Sequence, residues 1–264
     1  MARGGAVRGA GAIRRIARWL GDAYLHVRFP HAGFRGVYAT FDAAVRDAPR
    51  SKRIGYDHRD VALGYRKELD HGLAAFDRPV ISHLRQALGS RSVVLDFGGN
   101  IGLHYLAYRK HLALDNVRWI VWDLPQMVRV GRDSFPGLEN LTFVEGIGEL
   151  PATAIDVVLA SGSLQYLDDP AQWLATLSQR HGGPTHVLVN RVPLYEGETF
   201  VTLQNAGAVC YPQHVFNRAD FIGSIARLGY ELVDVWDDEI DSCRVPFHPE
   251  RSIRAYKGLY FRRR

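Results

Sequence analysis

The stretch Val93-Val94-Leu95-Asp96-Phe97-Gly98-Gly99-Asn100-Ile101-Gly102-Leu103-His104 constrains this chain more than any other. Val93, Val94, Leu95 and Phe97 make an apolar run interrupted only by Asp96, which reads as a buried strand. A glycine-rich turn follows, and Leu103 to Leu112 reads as a helix. A strand, a glycine turn and a helix, in that order, form the first unit of a nucleotide-binding α/β sheet. Gly98 and Gly102 carry no Cβ, so the backbone can turn sharply there and approach a ligand closely. The first N–H groups of the helix face the same place. Asp96, at the strand end, is positioned to accept from a cationic ammonium.

The rest of the chain continues the same alternation. Val117 to Trp122 reads as a second strand ending at Asp123, some twenty residues past the glycine turn, where two carboxylate oxygens match two vicinal ribose hydroxyls. Asp123-Leu124-Pro125 then starts a helix, with proline suited to its first turn. Leu141–Val144 is a third strand, followed by Glu145-Gly146-Ile147-Gly148. Ile155–Ala160 is a fourth, running into Ser161-Gly162-Ser163-Leu164-Gln165-Tyr166. Thr185–Asn190 is a fifth, ending in Asn190-Arg191. A helix from Arg218 to Leu228, with Asn217 as its N-cap, leads to Tyr230–Trp236. Tyr256–Arg262 returns antiparallel as the seventh. The expected fold is α/β: a Rossmann-like, seven-stranded, mostly parallel sheet with an antiparallel last strand, helices on both faces, and an N-terminal helical addition. Residues 1–54 form a basic N-terminal extension and 55–264 the main domain.

A dinucleotide fingerprint requires glycine at the first, third and sixth positions of the turn. Counted from Gly98, those positions hold Gly98, Asn100 and Leu103, so an NAD-dependent enzyme is disfavoured. Asp96-x-Gly98-x-Asn100-x-Gly102 instead resembles the first motif of class I S-adenosylmethionine (SAM) methyltransferases. Asn100 replaces the middle glycine, and asparagine enters left-handed backbone regions more easily than most residues. The closing helix, strand and short antiparallel strand are similar to the way that family finishes its sheet. The resemblance covers roughly residues 55–264. It looks closest to a group of uncharacterised bacterial methyltransferases, through Gly33-Phe34-x-Gly36-Val37-Tyr38, Ser161-Gly162-Ser163-Leu164-Gln165-Tyr166-Leu167-x-x-Pro170, Asn190-Arg191 and Tyr211-Pro212.

That resemblance implies SAM as cofactor. It implies a binding site of Asp96, Gly98, Gly99, Asn100, Gly102, Asp123, Leu124, Gly146, Ile147 and Ser161, with Tyr56 as a cover and Gly146-Ile147 against adenine. The acceptor should lie over the carboxyl ends of the fourth and fifth strands, near Ser163, Gln165, Tyr166, Asn190 and Arg191. Pro193–Phe216 is too long for a plain connection and reads as a substrate lid carrying Tyr195, Gln204, Tyr211 and His214. Thr199 to Arg218 contains no Asp, Glu or Lys, so it is not simply a solvated loop. His214 or His104 is expected as general base, with Arg191 holding an anionic group or pairing with a carboxylate of the fold. The resemblance implies methyl transfer and leaves the substrate open; the activity expected here is methylation of a small-molecule or carbohydrate-type acceptor, with O-methylation favoured because strand four ends in Ser161-Gly162-Ser163 rather than in the signature of exocyclic-amine methylation. A methyltransferase fold without turnover, acting as a binding or regulatory module, is the alternative.

Charge narrows the partners. The net charge of +5 is a terminal feature: residues 1–40 hold seven arginines and one acid, and the remainder balances at −1. A nucleic-acid binder would carry such charge as a patch on its folded domain, so a nucleic-acid substrate is disfavoured. Met1–Ala12 is expected to be disordered. Ile13–Val27 reads as an amphipathic helix that docks on the main domain, or alternatively as a basic helix in peripheral contact with an anionic membrane. No apolar run approaches the roughly 18 residues of a membrane span, and no secretory leader pattern is present. Cys210 and Cys243 are far apart, and the histidines do not cluster. A reducing, cytoplasmic setting without a structural metal is therefore expected; oligomeric state has no signature.

Overall fold

The computed structural model describes residues 33–69 and 72–264, preceded by Ile13, Ile16, Ala17, Trp19, Leu20, Gly21 and Tyr24. The expected disorder of Met1–Ala12 and most of the expected helix Ile13–Val27 lie outside the described residues. The seven described positions of that segment are helical. Trp19 Nε1 donates to Asp47 Oδ1 at 2.8 Å, while Ile13, Ile16, Leu20 and Tyr24 are exposed.

In chain order the first elements are β1 (Gly33–Tyr38), α1 (Phe41–Arg46), β2 (Arg53–Ile54), α2 (Arg59–Gly64) and α3 (Arg78–Ala87). The organising unit then appears where expected, as β3 (Val93–Phe97) and α4 (Leu103–Tyr108), followed by β4 (Arg118–Trp122), α5 (Pro125–Ser134), β5 (Leu141–Val144), β6 (Val157–Ser161), α6 (Pro170–His181) and β7 (His186–Val192). Next come β8 (Leu194–Tyr195), β9 (Phe200–Ala206), β10 (Val209–Asn217), α7 (Arg218–Ala226), β11 (Tyr230–Asp238) and β12 (Tyr256–Arg263). Asn217 caps α7 as expected, its side chain accepting from Asp220 N.

Seven strands make the main sheet, in the order β11-β12-β7-β6-β3-β4-β5. The pairs among β7, β6, β3, β4 and β5 are parallel, and β12 runs antiparallel to both β7 and β11. Strand periodicity splits the core. Val93 and Leu95 pack with Leu174, Leu177, Phe221 and Ile225 of α6 and α7 on one face. Val94 packs with Val80 and Leu84 of α3 and Tyr105 and Tyr108 of α4 on the other. The doubly covered β3 explains its near-continuous apolar run.

A second sheet, β1-β9-β10-β2, was not expected from the sequence. β9 and β10 form a hairpin turned at Gly207, whose φ is +73°. β1 adds antiparallel to β9, and β2 parallel to β10. The stretch read as a lid is therefore regular sheet, and residues 33–54 share it rather than standing apart from 55–264. Cys210 and Cys243 are free and buried. Among the described residues, no helix is long and apolar enough to cross a membrane.

Candidate active site

A cavity of about 990 Å³ lies between the carboxyl ends of the central strands and the second sheet. That is at the upper end of the ~300–1,000 Å³ usual for ligand pockets, and the cavity is lined by two kinds of surface.

The floor is the glycine turn and the ends of β3, β4 and β6, with Phe97, Gly98, Asn100, His104, Trp122, Asp123, Leu124, Met127, Glu145, Ser161 and Ser163 in the lining. Gly98 has φ +73°, and a Cβ there would stand 2.3 Å from Ser163 Cβ, so no side chain fits. Asn100 takes the left-handed conformation expected of it, with φ +59°. Gly102, with φ +96°, packs on Phe143 rather than facing the cavity.

Asp123 lines the cavity at the end of β4. Its Oδ2 accepts from Asn100 N and its Oδ1 from Leu124 N, each at 2.7 Å. Each oxygen keeps a lone pair for a ligand. Burial raises its pKa from 3.8 to about 6, the two backbone donors and His104 opposing the rise and Asp96 adding to it.

Asp96 departs from expectation. It is 0% exposed and absent from the cavity lining. Its carboxylate accepts from His104 Nδ1 at 3.0 and 3.2 Å and from Trp119 Nε1 at 3.1 Å. A Cβ on Gly99 would sit 2.4 Å from Asp96 Oδ2, so the turn closes directly over it. The period of the strand is the cause: Asp96 shares the Val94 face, beneath α4. It cannot meet an ammonium in the cavity. His104 faces the cavity instead, its side chain 15% exposed. Burial would lower the His104 pKa, but Asp96 and Asp77 together outweigh it and raise it above the ordinary 6.5.

The opposite wall is aromatic and amide. Tyr56 and Tyr211 share a hydroxyl–hydroxyl hydrogen bond, with ring centroids 4.0 Å apart. Tyr166 stands edge-on to both and donates to Gln204 Oε1 at 3.2 Å. Burial raises the pKa of all three tyrosines, keeping them protonated donors at neutral pH. Gln165 and Gln213 also line the cavity, and the Oε1 of each is buried without a partner. Such orphaned oxygens await a donor from water or ligand.

Other expected residues lie elsewhere. Gly99, Gly146 and Ile147 are not in the lining, although Glu145 beside them is, and Ile147 packs on the core. Asn190 is wholly buried, donating to Phe76 O and Asp77 Oδ1. Arg191 lines the cavity with φ +55°, but its Nε and Nη2 both stand 2.6 Å from Asp241 Oδ2 and its guanidinium lies over Phe76. His214 lies outside the lining: its Nδ1 meets Leu167 O at 3.1 Å and its ring packs between Phe41 and Phe216. Tyr195 is likewise outside, bonded to Glu198 O and Arg251. Sequence reasoning missed Gln213, Trp173 and the Asp241–Arg244 segment. A hairpin signal at Ala206-Gly207-Ala208, flanked by Phe200-Val201 and Val209-Cys210, could have located the first.

The strand order, with one antiparallel strand inserted beside the last, defines the class I methyltransferase fold. No family model matches the chain, and no curated protein matches it in sequence. Among solved structures, a SAM-dependent methyltransferase from Methanosarcina mazei superposes with a TM-score of 0.50 at 14% identity, over 73% of this chain and 98% of that one. The 1,6-didemethyltoxoflavin-N1-methyltransferase of Burkholderia thailandensis, solved with bound 1,6-didemethyltoxoflavin and S-adenosylhomocysteine, reaches 0.49 at 20% identity, over 77% and 85%. The CcbJ methyltransferase of Streptomyces caelestis reaches 0.49 at 16%, over 75% and 96%.

Proposed function

We propose that this chain is a SAM-dependent methyltransferase that acts on a small-molecule or carbohydrate-type acceptor, with oxygen the favoured atom. One observation carries the reading. A single cavity joins a cofactor-like floor, built on the glycine turn and Asp123, to a wall of tyrosine hydroxyls and glutamine amides.

The floor fits the cofactor. The side-chain-free approach at Gly98 and the two free lone pairs of Asp123 suit a ribose carried across the end of β3. Leu124 and Met127 supply apolar surface beside Asp123 for a purine. When bound, SAM would supply an activated sulfonium methyl for an acceptor oxygen, whose proton would pass to water. The protein's own work is then alignment. Tyr56, Tyr166 and Tyr211 offer hydroxyl oxygens and flat apolar faces, the Tyr56–Tyr211 pair keeping one O–H to donate, and Gln165 and Gln213 offer acceptors for hydroxyl donors. Asp96 holds Nδ1 of His104 and leaves the Nε2 edge of the ring toward the cavity. Arg191 is engaged by Asp241 and holds the rim of the site.

The experiment is incubation with methyl-labelled SAM and fractionated cell extract, followed by identification of the labelled product, alongside calorimetry with S-adenosylhomocysteine and NAD. A labelled small molecule or glycan is expected. Binding of S-adenosylhomocysteine without any labelled product would favour a non-catalytic module, and failure to bind it would remove the reading.

A further inference from the structure

We infer that His104, held from behind by Asp96, is the group that receives the carboxylate of the cofactor's amino-acid tail. This rests on the reading of the cavity as a SAM site.

The argument begins with Asp96. The acid at the end of β3 is sealed beneath Gly99, and both of its oxygens are used. The cavity therefore does not meet a carboxylate at this position. It meets the imidazole which that carboxylate holds. Nδ1 is turned to Asp96, so the Nε2 edge is left for the cavity, which the 15%-exposed ring lines. A buried carboxylate on one ring nitrogen favours a proton on both, so the free edge is a donor bearing positive charge.

Position supports the assignment. Asp123 Oδ2 grips Asn100 N from one side of the glycine turn, and His104 lies four residues further on. A ligand whose ribose rests on Asp123 and which extends over the end of β3 brings its tail toward His104. The tail of SAM carries one carboxylate. Arg191, the neighbouring cation, is already committed to Asp241; of the other two basic side chains in the lining, His104 stands on the floor beside the glycine turn, and Arg244 comes from the segment before β12. A charge-assisted hydrogen bond at this point is worth more than a neutral one.

The charge of the ring is set by groups on every element packed around it. These are Asp96 on β3, Asp77 in the turn before α3, Tyr108 on its own helix, Asp123 at the end of β4 and Arg191 at the end of β7. The acids hold the proton on, while burial and Arg191 work against it. Binding of a carboxylate should therefore weaken as pH rises and the ring loses its proton.

The test is calorimetry on the full chain with two probes, S-adenosylhomocysteine and 5′-methylthioadenosine. The second lacks the amino-acid tail but keeps the ribose and adenine. In His104→Ala, affinity for S-adenosylhomocysteine should fall roughly 10- to 100-fold, the range expected for a hydrogen bond to a charged group, while that for 5′-methylthioadenosine changes by less than about 2-fold. His104→Gln should recover part of the loss. The parent should lose affinity for S-adenosylhomocysteine at alkaline pH with a limb that is missing in both variants. Asp96→Asn should move that limb to lower pH. Equal weakening of the two probes would show that His104 merely supports the turn, and an undiminished affinity for S-adenosylhomocysteine would show that the carboxylate goes elsewhere; either overturns the inference. Loss of the tail contribution in Arg244→Ala alone would transfer the role to Arg244. If the parent bound neither probe, this inference and the cofactor reading would fall together. Binding of both by the parent, with His104 variants unaltered, sinks this inference alone.

Discussion

Replacing Asp123 by Asn should make the protein more stable at alkaline pH and a poorer binder of cofactor. Burial lifts the Asp123 pKa from 3.8 to about 6. Roughly two pH units correspond to about 3 kcal/mol, spent in keeping the carboxylate ionised in the folded protein. The sign follows from linkage. The folded-state value lies above the unfolded one, so the stability associated with the protonated group is complete below pH 3.8 and is lost as pH rises through about 6. Asparagine carries no charge and escapes that loss. It has one side-chain oxygen, however, for the two donors Asn100 N and Leu124 N, and leaving one unpaired costs about 1–2 kcal/mol. The net gain near pH 8 is about 1–2 kcal/mol, a rise in Tm of roughly 2–8 °C for a chain of this size. Near pH 4.5 the carboxyl of the parent is mostly protonated, so the gain should vanish or reverse. Binding moves the other way. Loss of an ionised acceptor for two ribose hydroxyls should weaken S-adenosylhomocysteine roughly 30- to 150-fold, or about 2–3 kcal/mol. In the parent, affinity should follow the ionised fraction, falling about 11-fold at pH 5 if Asp123 titrates near 6. Thermal unfolding and calorimetry at both pH values measure all of these quantities. A variant that is less stable at pH 8, or that binds S-adenosylhomocysteine as tightly as the parent, would refute the reasoning.

Three further substitutions probe separate parts of the cavity. His214→Ala should keep turnover within about 3-fold, because the ring packs between Phe41 and Phe216, behind the lining rather than in it. It should cost about 1–2 kcal/mol of stability through lost packing, so loss of turnover in a folded variant would return His214 to the chemistry. In Gly98→Ala, the added Cβ would meet Ser163 Cβ at 2.3 Å on a backbone with φ +73°. A stability loss of about 1–3 kcal/mol and much-weakened S-adenosylhomocysteine binding are expected by unfolding and calorimetry. Tyr211→Phe removes the hydroxyl bonded to Tyr56. It should raise KM for the acceptor about 5- to 20-fold, equivalent to one buried hydrogen bond, and leave S-adenosylhomocysteine affinity within about 2-fold.

What could be read from the sequence follows from how local each signal is. β3, β5 and the cap of α7 appear at or within a residue of their expected positions because each is marked by neighbours in the chain: an unbroken apolar run, a glycine turn, an asparagine three residues before its bonded N–H. Asp123 was legible for the same reason, since strand end and spacing both point to it. The second sheet was not legible. β1 and β9 are paired across more than 160 residues, and β2 contributes only Arg53 and Ile54. No local pattern announces such a partnership. The tyrosine wall depends on it, since Tyr211 comes from β10 and Tyr56 follows β2.

The misreading of Asp96 was of another kind, because the information was present. Side chains alternate along a strand. Phe97 shares its face with Val93 and Leu95, and its ring meets Trp122 and Trp173 in the cavity wall. Asp96, one residue earlier, must then turn to the face of Val94, which α3 and α4 cover. A carboxylate under a helix needs a donor from that helix or from its own sheet. His104, in the first turn of α4, and Trp119, on the neighbouring β4, are the donors that the geometry provides. Parity alone therefore turns an acid that looks like a ligand for a cation into the anchor of an imidazole. The group offered to the cavity at the end of β3 is then an imidazole edge and not the carboxylate that the motif suggests.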